Sequence, residues 1–134
     1  MTGRFRPVFL TLDEVLAIHA YQLDRYGGDP GLRDAGLLES ALGTPRAMFG
    51  KAYLHGSVPE MAAAYLFHLV GNHPFVDGNK RTGLAAAIAF LGLNGLWLEA
   101  DPDELADFVI RVAAGRATKA EAAEFIRARA VADR

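Results

Sequence analysis

The sequence predicts an all-α fold, a compact helical bundle, on three observations: helix-start signatures recur along the chain, two consecutive segments are apolar on nearly all sides, and no strand pattern of any length appears. With 134 residues, 51% of them apolar, the chain can bury one core, so one domain over residues 1–134 is expected.

Thr11-Leu-Asp-Glu14 is a capping box, in which the Thr11 hydroxyl accepts from a backbone N–H three residues on and Glu14 reaches back. Leu12, Val15, Leu16, His19 and Leu23 follow at three- and four-residue spacing, and Gly27-Gly28 ends the run, which places a first helix over about residues 12 to 26. Gly28 to Arg33 reads as a turn-rich connection, and Asp34 caps a short helix carrying Leu37, Leu38, Ala41 and Leu42. Thr44 to Ser57 holds Pro45, Gly50 and Gly56 without a clear period, so a loop or a short hairpin is expected there.

Pro59 opens the next helix at its first turn, Met61 to Val70 is apolar all round, and Gly71-Asn72 stops it. A second such helix, rich in Ala, runs from about Asn79 to Leu93 and is closed by Asn94-Gly95. These two helices form the core, joined by a loop from His73 to Gly78. Asp101-Pro102-Asp103-Glu104 starts a fifth helix that reaches Gly115, and Thr118 with Glu121 repeats the capping box for a last helix to about Ala130.

A net charge of -2 and a pI near 6.1 argue against nucleic-acid binding through phosphates, so any anion site must be local. The absence of cysteine excludes disulfides and thiolate metal sites and points to the cytoplasm. Arg4 and Arg6 precede an apolar run of only Val8 to Leu10, too short for a signal-peptide core. The stretch Gly83 to Leu98 is interrupted by Gly92, Asn94 and Gly95 and falls short of the roughly 20 residues that span a bilayer, so no membrane role is expected.

His73-Pro-Phe-Val-Asp-Gly-Asn-Lys-Arg81 concentrates polar groups between two core helices, where packing alone would not select them. A helix start leaves about four N–H groups without intrahelical partners and carries partial positive charge, which favours an anion such as phosphate. Gly78 allows close backbone approach, Asn79 offers an amide, and Lys80 and Arg81 add positive charge where the helix dipole ordinarily prefers acids. Asp77 beside phosphates suits Mg2+, which takes few protein ligands, and His73 can accept a proton near neutral pH. Taken singly, Asp77 would be read as a helix cap, and His73, Lys80 and Arg81 as ordinary surface groups; their density favours a site. Phe75 is expected to plug into the core and fix the loop, His68 to be a satisfied core residue, and His19 to lie on the inner face of its helix.

The nine residues resemble the Fic superfamily signature, and Arg25-Tyr-Gly-Gly28, Pro30-Gly31 and Asp34 to Leu42 are similar to its Doc branch, so that the resemblance covers roughly Leu10 to Ala130. It implies a Fic/Doc-type bundle with the active-site loop between two central helices and a short flap, Thr44 to Ser57, that docks the target. It further implies His73 as general base, Asp77 as Mg2+ ligand, and Gly78, Asn79, Lys80 and Arg81 as the nucleotide site for ATP. Lys80 and Leu84 stand where the broad Fic pattern has Gly and a second Arg, which favours the Doc subtype: a toxin that phosphorylates a threonine of elongation factor Tu and arrests translation. Pro74 and Gly78 follow the broad pattern and Ala85 replaces a Doc-type Asn, so an AMP transferase stays open, as does a catalytically silent nucleotide-binding or partner-binding module. No Glu is followed by Gly or Asn, so the self-inhibitory Fic motif is absent and a separate antitoxin protein is implied.

Overall fold

A computed structural model of the chain describes residues 5–132; Arg4, noted above, lies outside the described residues. Six α-helices form the body: α1 (Leu12–Tyr26), α2 (Ala35–Gly43), α3 (Val58–Asn72), α4 (Asn79–Leu93), α5 (Pro102–Ala113) and α6 (Lys119–Arg129). Among the described residues, no helix is long and apolar enough to cross a membrane.

Five of the six helices start on a side-chain cap. Thr11 and Thr118 form complete capping boxes with Glu14 and Glu121. Asp34, Ser57 and Asp101 accept from the first-turn N–H groups of α2, α3 and α5. The exception is α4, whose N-cap is Gly78 with no side-chain hydrogen bond.

Helix α3 is the centre of the molecule and packs on α2, α4, α5 and α6. Met61 to Leu66, Leu69 and Val70 are all buried, and α4 answers with Ala86, Ala87, Phe90 and Leu91. Small residues let the two axes approach: a Cβ at Gly83 would stand 2.7 Å from Val70 Cγ2. The one hydroxyl this core buries on a tyrosine is satisfied, since Tyr65 Oη accepts from Leu10 N–H at 3.0 Å.

Helix α3 begins one residue before Pro59 because Ser57 caps it, and it passes Gly71 to end at Asn72, where His73 turns left-handed. Helix α5 ends at Ala113, ahead of Gly115. The segment after α2 contains a 3-10 turn at Thr44–Arg46 and an antiparallel hairpin, β1 (Met48–Phe49) with β2 (Ala52–Tyr53), the second of the two forms anticipated.

A second strand pair has no counterpart in the sequence pattern. β3 (Leu96–Leu98) pairs antiparallel with β4 (Ala130–Ala132), which follows α6 directly and ties the segment after α6 to the strand that follows α4. Three-residue strands are too short to show alternation, and partners this distant in sequence leave no local signal.

Candidate functional site

The loop from His73 to Gly78 is held in one shape by three independent sets of contacts. The first is the connection after α1. Arg33 and Asp34 N–H donate to Pro74 O at 2.7 and 2.9 Å, and Val76 N–H donates to Gly31 O at 2.9 Å. The Arg33 guanidinium grips the end of α3, with Nε donating to His73 O at 2.6 Å and Nη2 to Asn72 O at 2.9 Å. Those two carbonyls belong to a helix end, where acceptors lack intrahelical partners. His73 itself has φ 53°, the one positive value outside glycine among the described residues, and Arg33 opposes the cost of that conformation.

The second set lies within the loop. Asn79 is buried, its Oδ1 accepts from Phe75 N–H at 3.0 Å, and its Nδ2 donates to Phe75 O at 2.9 Å. Nδ2 also lies 3.0 Å from His73 Nδ1. With Oδ1 committed to an N–H, the amide nitrogen must face the imidazole, so His73 Nδ1 is the acceptor and the neutral ring carries its proton on Nε2. The side-chain amide of Asn79 is thus engaged inside the loop, and its backbone N–H is what remains at the start of α4.

The third set comes from α1. Phe75 is 1% exposed and stacks on His19, with ring centroids 3.7 Å apart and planes 10° off parallel. His19 Nε2 donates to Asp77 O at 2.9 Å. Phe75 therefore plugs the loop into the core as expected, and buried His19 links that plug to the residue before α4.

Asp77 does not cap α4. Its Oδ2 accepts from Asp29 N–H at 2.7 Å, Oδ1 has no hydrogen-bond partner among the described residues, and Asp77 lines a cavity. Gly78 follows at φ 82°, a conformation that disfavours a side chain, and a Cβ there would crowd Leu23 at 3.2 Å. The first N–H groups of α4 stay open as a result. Lys80 and Arg81 are exposed, and among the described residues neither lies in an ion pair with a carboxylate. The Arg81 guanidinium instead sits 4.3 Å above the Tyr26 ring centroid. An uncapped helix start flanked by two cations carries positive potential that could receive an anion. One free carboxylate oxygen next to it fits Mg2+ held together with phosphate oxygens and water; the described residues offer no cage of three or more acidic or histidine ligands.

A cavity of about 580 Å3 opens on this helix start, lined by Asp77 to Arg81 on one side. Its other walls come from the end of α1, the Gly27-Gly28 turn and α5. The structure thus gathers Asp77, Gly78, Asn79, Lys80 and Arg81 around one space, with His73 outside the lining but joined to it through Asn79. The sequence by itself puts His19 only on an inner helix face and indicates no role for Arg33, Asp29 or the α5 wall. Their function is contact across the fold, and the single local hint was the unusual clustering of Gly, Asp and Pro between 27 and 31.

The sequence profile described as Fic/DOC family matches residues 9–91. The chain is 35% identical over 115 residues to protein kinase doc of Escherichia phage P1, covering 86% of this chain and 90% of that protein. It is 45% identical over 78 residues to toxin Doc of Mycolicibacterium smegmatis, covering 58% of this chain and 60% of that one.

Proposed function

The chain belongs to the Fic/DOC family, and from that premise we propose that it is the toxin of a toxin–antitoxin pair, a transferase that moves the γ-phosphoryl group of Mg-ATP onto a threonine hydroxyl of elongation factor Tu in the cytoplasm and so arrests translation. The observation that carries this reading is the start of α4, which alone among the helices lacks a side-chain cap and instead presents free N–H groups flanked by two unpaired cations. The names of the relatives, one a protein kinase and one a toxin, point the same way.

In the proposed reaction the target oxygen attacks the γ-phosphorus, the bond to the β-bridging oxygen breaks, and ADP leaves. The backbone N–H groups of Asn79 to Arg81 and the side chains of Lys80 and Arg81 orient the polyphosphate and stabilise charge on its oxygens. Asp77 Oδ1 would hold Mg2+, which neutralises phosphate charge when bound. The proton of the hydroxyl goes to His73. Since Asn79 holds Nδ1 as an acceptor, the ring must first leave that amide so that the proton can shift to Nδ1 and Nε2 can accept; for an exposed side chain this loses one neutral hydrogen bond, about 1 kcal/mol. The hairpin Met48 to Tyr53, with Phe49 84% exposed, would dock the target chain by strand addition. No acidic residue of the self-inhibitory kind is present in the sequence, so control falls to a separate antitoxin protein.

The test is incubation with elongation factor Tu and ATP labelled at the α or the γ phosphate. Label from the γ position on the target is the expected result; label from the α position would replace the kinase with an AMP transferase, and no label with no toxicity on expression would leave a silent binding module. His73→Ala should retain the fold and lose at least about 100-fold in transfer rate.

A further inference from the structure

We infer that His19 of α1 is a positioning residue for the proposed transfer: its Nε2–H holds the Asp77–Gly78 peptide in one orientation and so sets the Asp77 carboxylate at the start of α4. The assignment rests on the reading of Asp77 as the Mg2+ ligand and adds what keeps that ligand in place. The buried face of α1 carries Val15 and then His19, a place where an apolar side chain would cover Phe75 as well as an imidazole does. A buried ring nitrogen needs a partner, and His19, 5% exposed, finds it in Asp77 O at 2.9 Å. A carbonyl only accepts, so Nε2 carries the proton. Among the described residues, Asp77 O takes no other hydrogen bond.

That carbonyl matters because of the residue after it. Gly78 has φ 82°, and glycine passes readily between positive and negative φ, so the peptide plane before it can turn over against little resistance. The plane is rigid and trans, and its N–H points opposite to its carbonyl. With the carbonyl on His19, the Gly78 N–H faces away from the imidazole; in the reversed plane a carbonyl oxygen would stand there and oppose an anion at the helix start. The other contacts frame Asp77 without making that choice. Asp29 N–H donates to its Oδ2 at 2.7 Å, and a Cβ at Gly28 would stand 3.1 Å from its Cβ, so the side chain is confined on that flank. Gly78 itself lies against α1, where a Cβ would meet Leu23 at 3.2 Å and His19 at 3.6 Å. Of these contacts only the His19 bond acts on the peptide group, so it is the one that selects between the two orientations.

The experiment compares His19→Phe and His19→Leu, which cannot donate, with His19→Gln, whose amide can, each checked for native helicity by circular dichroism. In the native chain, imidazole 15N spectra are expected to show His19 protonated on Nε2; a proton on Nδ1 alone overturns the role. Amide exchange at Asp29, whose N–H is held by Asp77, reads the carboxylate with no nucleotide or metal present. It should accelerate at least about 5-fold in both apolar variants, the equivalent of one lost hydrogen bond, and stay within about 2-fold of native in His19→Gln. In transfer assays the Mg2+ concentration for half-maximal rate should rise at least about 5-fold in the apolar variants and return toward native in His19→Gln. Unchanged exchange in folded apolar variants overturns the inference, because the bond then holds nothing. Acceleration in His19→Phe alone overturns it too, since the larger ring is then what displaces the peptide, and equal acceleration in His19→Gln assigns the effect to the lost stack on Phe75. Faster exchange with an unmoved Mg2+ requirement leaves His19 a contact of the fold and ends its positioning role. A native chain without Mg2+-dependent transfer defeats the proposed function and this role with it, while the exchange data still show whether His19 holds the peptide.

Discussion

His73 is the residue on which geometry and chemistry converge. It closes α3 in a left-handed conformation that few side chains other than glycine adopt, and it does so because its carbonyl is tied to Arg33 and its ring to Asn79. If His73 is the base of the proposed transfer, Arg33 is a positioning residue whose removal should matter more for rate than for stability. Arg33→Ala is expected to lower unfolding free energy by about 1 kcal/mol, since the guanidinium is exposed and water can replace it on the two carbonyls. It should lower transfer at saturating ATP by about 10-fold or more, because His73 then samples other backbone conformations. Urea unfolding and single-turnover rates measure the two effects, and a rate loss no larger than the lost folded fraction would assign Arg33 to stability alone.

At the scale of elements, the α3–α4 pair explains why the loop can be so polar yet so fixed. The two helices pack closely, with Gly83 of α4 against Leu66, Leu69 and Val70 of α3, and the short distance between them sets the separation of the loop's two ends. Gly83→Ala would gain up to about 1 kcal/mol in helix propensity, but its Cβ would stand 2.7 Å from Val70 Cγ2, so overpacking should win with a net loss of about 1–2 kcal/mol. Adding Val70→Ala removes the obstructing methyl groups and should recover part of that loss. Thermal or urea unfolding of the two single variants and the double variant reads the coupling, and strict additivity would show that the close approach does not constrain the helices. The α4 start carries the complementary message: five helices use side-chain caps, whereas at this one the nearest carboxylate, Asp77, is turned to Asp29 instead.

Across the whole molecule, one titratable group should dominate the acid side of the stability profile. His68 lies where α3 meets α6; burial, then Lys119, then His55 hold its pKa down, from 6.5 to about 4. Lys119 Nζ lies 3.3 Å from His68 Nε2, a contact that requires a neutral imidazole to accept. His55, itself buried, is shifted in the same direction by burial and by Lys119. Between pH 4 and 6.5 the unfolded chain binds the proton that folded His68 refuses, so stability is complete above about 6.5 and falls as pH drops toward 4. Allowing for the partial exposure of His68, the loss over that window is expected to be about 1–2 kcal/mol. His68→Gln keeps an acceptor opposite Lys119 and removes the titration, so urea midpoints of this variant should flatten over the same range. An equal slope in both proteins would move the acid sensitivity elsewhere.

Local chemistry determined much of this protein from the sequence alone. The capping boxes at Thr11 and Thr118, the Asp34 and Asp101 caps, the all-round apolar α3 and α4 and the loop between them were legible because each depends on residues within a turn or two of one another. So was the cluster His73 to Arg81, since its nine residues are contiguous. The tertiary structure alone decided what holds that cluster and what it opens onto. His19 beneath Phe75, Arg33 on the carbonyls of α3, Asp29 on Asp77, the α5 wall of the cavity and the β3–β4 pair all join segments distant along the chain. Such contacts are set by the packing of whole helices, and no spacing within a single helix records them.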